Sequence, residues 1–128
     1  MGRPSRTILY IDDDSDTRFL LRELLAERRE MEGEEASIGW LEASSIEEAV
    51  DRFGSRQPDA ILLDNGLGIV EGVERLPQVR QTWNCPVWIL TGLSTDSLER
   101  RCASYGGAGL VLKDDLVENP SRLLSLFR

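Results

Sequence analysis

Thr7-Ile8-Leu9-Tyr10-Ile11 runs without a polar break into Asp12-Asp13-Asp14. A short, continuous apolar run of this kind suits a strand covered on both faces, since a strand with one wet face would alternate. The acids mark where burial stops. The pattern recurs: Ala60-Ile61-Leu62-Leu63 ends in Asp64, Pro86-Val87-Trp88-Ile89-Leu90 in Thr91-Gly92, and Leu110-Val111-Leu112 in Lys113. A weaker strand lies around Ile38 to Ala43.

Helical spacing fills the intervals. Leu20, Leu21, Leu24 and Leu25 form a stripe after the first strand. Ile46, Ala49, Val50 and Phe53 fall at i, i+3, i+4 and i+7 behind Ser44 and Ser45, with Glu47 and Glu48 in the first turn. Val73, Leu76 and Trp83 predict a third helix, which Pro77 should kink or delay. Leu98 and Cys102 predict a fourth, capped near Ser94 or Thr95 and stopped by Gly106-Gly107. Leu116, Leu123, Leu124 and Phe127 predict a fifth, and the acidic stretch Arg28 to Ser37 is expected to be a solvated loop. Five strands alternating with five helices predict an α/β domain built on a doubly wound parallel sheet.

Size and charge narrow the function. The 128 residues suit one domain over 1–128, with its core from about 7 to 127. A chain of this length buries roughly two-thirds of its unfolded surface. No secretory h-region is present and no apolar run approaches the roughly 18 residues of a membrane helix, so a cytoplasmic location without membrane contact is expected. The net charge of −8 argues against nucleic acid, because there is no cationic excess to displace phosphate counterions. Cys85 and Cys102 lack metal-ligand spacing and are expected to be core thiols. The absence of histidine removes Ser-His and Cys-His nucleophiles and His-ligated metals. Chemistry must run on carboxylates, lysine, hydroxyls and backbone groups.

Right-handed crossovers bring the C-terminal ends of all the strands to one edge, where ligands of open α/β sheets bind. Asp12, Asp13, Asp14, Asp64, Thr91 and Lys113 all fall there. Each alone has an ordinary explanation: Asp14 or Ser15 caps a helix, Asp64 opens a turn, Thr91 is a strand residue and Lys113 a surface cation. Together they describe a site. Carboxylates ending strands one and three repel unless a cation sits between them, and Mg2+ (or Mn2+) takes such oxygen ligands. Asp64 could then attack a phosphoryl group whose oxygens the metal and Lys113 neutralise, with Thr91 as a hydroxyl donor and Gly92 leaving room.

These residues resemble the response-regulator receiver family of two-component signalling. Ile8 to Asp16 looks like its acidic strand end, Pro58 to Asp64 its phosphoacceptor strand, and Pro86 to Gly92 and Gly109 to Lys113 its last two strands. The likeness runs from Thr7 to about Phe127. It implies a flavodoxin-like fold with strand order 2-1-3-4-5 and phosphorylation of Asp64. The metal would be held by Asp13, by Asp12 largely through water, by Asp64 and by the Gly66 carbonyl. Thr91 and Lys113 would bind the phosphoryl group. The implied partners are a sensor histidine kinase or histidine phosphotransfer protein as donor, and a downstream protein target or fused output domain as recipient. The family also pairs through its fourth helix, fifth strand and fifth helix, which implies a homodimer as one association state.

Four positions depart from the family. Gly68 stands where proline is usual, which should loosen that loop. Glu71 replaces aspartate. Asp114 follows Lys113 in place of proline, so a trans bond is expected there. Leu110 occupies the position of a mobile Tyr or Phe, which leaves the usual output step without its ring.

Three rivals compete. Asp12 to Glu23 has acids at calcium-loop positions, but Thr17 stands where that loop needs glycine and a strand leads in. A haloacid-dehalogenase-like phosphatase would use Asp12 as nucleophile and leaves Asp64 without a role. A degenerate receiver would keep the fold as a phosphorylation-independent protein-interaction module.

Overall fold

The computed structural model describes residues 6–32 and 38–127. Its sheet holds β1 (Arg6–Ile11), β2 (Ile38–Ala43), β3 (Ala60–Asp64), β4 (Val87–Thr91) and β5 (Gly109–Leu112). All neighbours are parallel, in the order β2-β1-β3-β4-β5. Helices α1 (Ser15–Glu32), α2 (Ile46–Phe53), α3 (Leu76–Thr82), α4 (Asp96–Ser104) and α5 (Lys113–Glu118) alternate with the strands. This is the five-stranded, doubly wound arrangement expected from the sequence. Among the described residues no helix is long and apolar enough to cross a membrane.

The unbroken apolar runs are explained by two cores, one on each face of the sheet. Leu9, Ile11, Ile61, Leu63 and Ile89 point to one core, with Ile46, Ala49, Phe53, Leu76, Val79 and Leu98. Ile8, Tyr10, Leu62, Leu90 and Val111 point to the other, with Leu21, Leu25, Leu116, Leu123 and Leu126. Side chains alternate between faces along a strand, so only a sheet buried on both sides needs apolar residues at every position. Full burial of each Leu or Ile contributes about 1.5–3 kcal/mol relative to exposure.

Local signals set the helix ends. The Ser45 hydroxyl accepts the Glu48 amide at 3.0 Å, and the Glu48 carboxylate returns to the Ser44 amide at 2.9 Å. That reciprocal pairing starts α2. Thr95, at the start of α4, accepts the Leu98 amide at 3.1 Å. Gly106, at φ 86°, ends α4 in a backbone conformation that favours glycine. Pro77 sits in the first turn of α3, after a 3-10 turn over Gly72–Arg75, so that helix starts late as expected. Cys102 is buried in the core and Cys85 half-buried against it; both are free thiols.

Three expectations need correction. The helical part of Arg28 to Ser37 is longer than a loop reading allows, because α1 continues through Glu32. Its Arg, Glu and Met residues are good helix formers that need no apolar stripe. The remainder, 33–37, lies outside the described residues. The fifth helix is also broken: α5 ends at Glu118, and a 3-10 helix follows over Pro120–Phe127. Pro120 has no amide to donate and pushes the residue before it out of the α region, and Asn119 accordingly sits at φ −139°, ψ 81°. The change of pitch buries Leu126 and leaves Leu124 exposed. On other helices Leu20 and Val50 face solvent rather than the core.

Candidate functional site

Asp64 is the last residue of β3, and Asp12 and Asp13 follow directly on β1, its neighbour in the sheet. One carboxylate oxygen from each of Asp12, Asp13 and Asp64 lies within 4.8 Å of the other two. Asp12 is fully buried, Asp64 3% exposed, and Asp13 open to solvent. Lys113, the first residue after β5, places its Nζ 3.1 Å from Asp64 Oδ1. The structure therefore joins four of the expected residues at one sheet edge.

The two buried acids are held differently. Asp12 Oδ1 accepts the Asp14 amide at 2.9 Å, and Oδ2 accepts the Tyr10 hydroxyl. Arg18 donates to the Asp12 carbonyl. Asp64 Oδ1, by contrast, is buried and faced by Lys113 alone, 3.1 Å away. Asp14 serves the helix start: it accepts the Asp16 amide at 3.0 Å and the Thr17 hydroxyl at 2.8 Å. These bonds hold its carboxyl below the usual range.

The charges do not balance. Burial and then the negative charge of Asp12 push the Asp64 carboxyl above its ordinary value, against the pull of Lys113 and the Gly66 amide. Burial favours the neutral form of Lys113, yet Asp64, Asp12 and Asp14 together hold its ammonium charged. Lys113 faces Asp64, and Arg18 is shared between Glu42 and the Asp12 carbonyl, so positive charge falls short of the acids gathered here. A hard divalent cation with oxygen ligands fits that deficit and the Asp64 oxygen that Lys113 alone faces. The loop after Asp64 is compatible with it.

That loop is built by Asn65. Its backbone carbonyl accepts the Gly72 amide at 2.8 Å, its side-chain oxygen accepts the Val73 amide at 3.0 Å, and its Nδ2 donates to Glu71 at 2.8 Å. Gly72 is required by close approach, because a Cβ there would lie 2.2 Å from the Asp64 carbonyl oxygen. Gly68 adopts φ 80°, a value closed to the proline usual in the family, and donates to the Gly66 carbonyl at 3.1 Å. The Gly66 carbonyl thus keeps one lone pair for another partner. Glu71 also pairs with Arg101 on α4 at 2.9 Å, which, with the Asn65 amide, keeps its carboxyl below the usual range.

Thr91 ends β4, one residue beyond Leu90, the register partner of Asp64. Its hydroxyl donates to the Leu93 carbonyl at 3.0 Å and accepts the Leu93 amide at 3.3 Å, so it is engaged in its own turn. Leu110 is half-buried against the core beside α4. The calcium-loop alternative loses its geometry, because α1 begins at Ser15 and carries Glu23 away along the helix. Tyr10 and Asn65 were not singled out from sequence. An aromatic inside a buried strand reads as core, whereas Asn directly after a strand-ending Asp is a recognisable turn residue.

The carboxylates of Asp12, Asp13 and Asp64 and the Lys113 ammonium thus meet outside the C-terminal ends of a parallel α/β sheet, where such sheets bind ligands. The chain belongs to the response regulator receiver domain family, whose sequence profile matches residues 8–125. It is 26% identical over 119 residues to a protein-glutamate methylesterase/protein-glutamine glutaminase of Methanosarcina mazei, covering 91% of this chain and 29% of that protein. It is 24% identical to the chemotaxis protein CheY of Halobacterium salinarum, covering 85% of each. In fold it is similar to a Burkholderia pseudomallei response regulator solved with a phosphorylated aspartic acid, calcium ion and citrate. That likeness has TM-score 0.76 and 19% identity, over 97% of this chain and 67% of the other. The chain spans under a third of the length of the methylesterases it matches first.

Proposed function

We propose that this receiver domain is a phosphorylation switch whose acceptor is Asp64. Mg2+ (or Mn2+) would be held by Asp12, Asp13, Asp64 and the Gly66 carbonyl. The observation that carries the reading is the difference between the two buried acids. Both Asp12 oxygens are held by donors of the surrounding fold, whereas Asp64 Oδ1 is buried with only the Lys113 ammonium, at 3.1 Å, facing it. The same difference argues against Asp12 as the nucleophile of a phosphatase.

The donor is a phosphohistidine on a sensor kinase or phosphotransfer protein. An Asp64 oxygen forms the new O–P bond as the P–N bond breaks, and the bond electrons return to the imidazole, which takes up a proton from water. A bound divalent cation would neutralise charge on the transferring oxygens. Lys113 follows that charge from Asp64 to the phosphoryl oxygens. Thr91 exchanges Leu93 for a phosphoryl oxygen, which draws in the β4–α4 turn. The recipient of the signal is a protein target or a fused output domain, and the setting is the cytoplasm.

The engaged Thr91 hydroxyl and the ringless Leu110 favour, as a second reading, a receiver that works without phosphorylation. Incubation with acetyl phosphate and Mg2+, followed by intact mass, separates the two. A gain of one phosphoryl group, absent in Asp64→Asn, supports the switch. No gain in the unmodified chain supports the constitutive module.

A further inference from the structure

Tyr10 is fully buried in the middle of β1, opposite Glu42 of β2 and Leu62 of β3. Its ring packs against Trp40 at 5.5 Å between centroids, tilted by 51°. Residues two apart on a strand share a face, so the phenol extends along β1 toward Asp12 and its hydroxyl donates to Asp12 Oδ2. Trp40 in turn donates to Glu42 at 2.9 Å, and Glu42 pairs with Arg18, the residue that donates to the Asp12 carbonyl. Asp12 is thus clamped at its backbone by Arg18 and at its side chain by Tyr10 and the Asp14 amide.

A phenylalanine would fill the same space in the core, so packing alone does not account for the hydroxyl. We infer that Tyr10 is a positioning residue for the divalent cation: its hydroxyl fixes the rotation of the Asp12 carboxylate, leaving one lone pair on each oxygen directed into the pocket. Donors that orient a metal-binding carboxylate typically matter 10–100-fold in metal affinity. This inference rests on the cation reading above and adds to it a residue buried beneath the pocket that does not itself touch the ion. The Tyr10–Trp40 pair also places an indole one side chain away from the clamp, so occupancy of the pocket should register in tryptophan emission.

The test is a Mg2+ titration followed by tryptophan fluorescence, on the unmodified chain, Tyr10→Phe, Asp12→Ala and the double variant. Tyr10→Phe should bind Mg2+ about tenfold more weakly. It should have no further effect in the Asp12→Ala background, since its action passes through that carboxylate. A role in core packing alone would leave affinity unchanged in Tyr10→Phe, or lower it equally in both backgrounds, and either result overturns the inference. Without metal, proton NMR should show a slowly exchanging hydroxyl resonance that Tyr10→Phe removes; its absence also counts against the clamp. If the unmodified chain binds no Mg2+ by calorimetry, both the cation reading and this inference fail. If it binds and Tyr10→Phe binds equally well, only this inference fails.

Discussion

Replacing Asp64 with asparagine should stabilise the metal-free protein and destroy its response to Mg2+. Asp64 faces two carboxylates whose nearest oxygens lie within 4.8 Å, and a lysine nitrogen at 3.1 Å. At an effective dielectric of about 20, repulsion from the buried Asp12 is worth roughly 3.5 kcal/mol and the attraction of Lys113 roughly 5 kcal/mol, while water screens the exposed Asp13. The pair terms alone leave roughly 1.5 kcal/mol in favour of the charge, and the cost of burying the carboxylate, several kcal/mol, outweighs it by about 2 kcal/mol. The folded-state pKa of Asp64 is raised, from burial first and Asp12 second. Its contribution to stability is therefore fully present below its unfolded pKa and lost as pH rises through the folded value. Asp64→Asn should accordingly exceed the parent by about 2 kcal/mol at pH 7, and the two should converge below roughly pH 4. Mg2+ at a hundredfold excess over its Kd should then add about 2.7 kcal/mol to the parent and little to the variant, reversing the order. Urea denaturation at both pH values, with and without Mg2+, measures all of this. A variant less stable than the parent at pH 7 without metal would refute the charge argument.

Lys113→Ala should leave Mg2+ binding largely intact while weakening the structural response to phosphorylation; equal chemical-shift changes at Thr91 in both proteins would contradict its role. Gly72→Ala forces a Cβ to within 2.2 Å of the Asp64 carbonyl oxygen and should cost about 2–3 kcal/mol, read as a lower denaturation midpoint. An unchanged midpoint would mean that the loop yields freely. Arg101→Ala removes pairs to Glu71 and Glu74 at 2.9 and 3.0 Å and should lower stability slightly, an effect that salt erases. The lowered folded pKa of Glu71 places that contribution above its ordinary value, with loss as pH falls through the folded value. Melting curves of the two proteins should therefore merge in acid.

The strands and their terminal acids were legible because burial on both faces permits no other pattern, and a polar residue ending such a run must lie at the sheet edge. Asp12, Asp13, Asp64 and Lys113 could be placed on one edge for that reason, and the resemblance supplied the strand order that sets β1 beside β3. The broken fifth helix was hidden by its own apolar spacing: Leu116, Leu123 and Phe127 satisfy a helical stripe, yet Pro120 overrides it. The extension of α1 to Glu32 was hidden in the opposite way, in a charged stretch with no apolar face. Tyr10 was least visible. Its hydroxyl matters only once β1 places it two residues before Asp12 on the same face, and sequence alone does not separate that from an aromatic in a core.

The central claim concerns one atom pair, an Asp64 oxygen and phosphorus. Peptide mapping by mass spectrometry after acetyl phosphate treatment, with and without Mg2+, tests it most directly. The expected result is a single phosphoryl group on Asp64, formed only when Mg2+ is present. A phosphoryl group on Asp12 or Asp13, or equal labelling of Asp64 with the metal chelated, would contradict it.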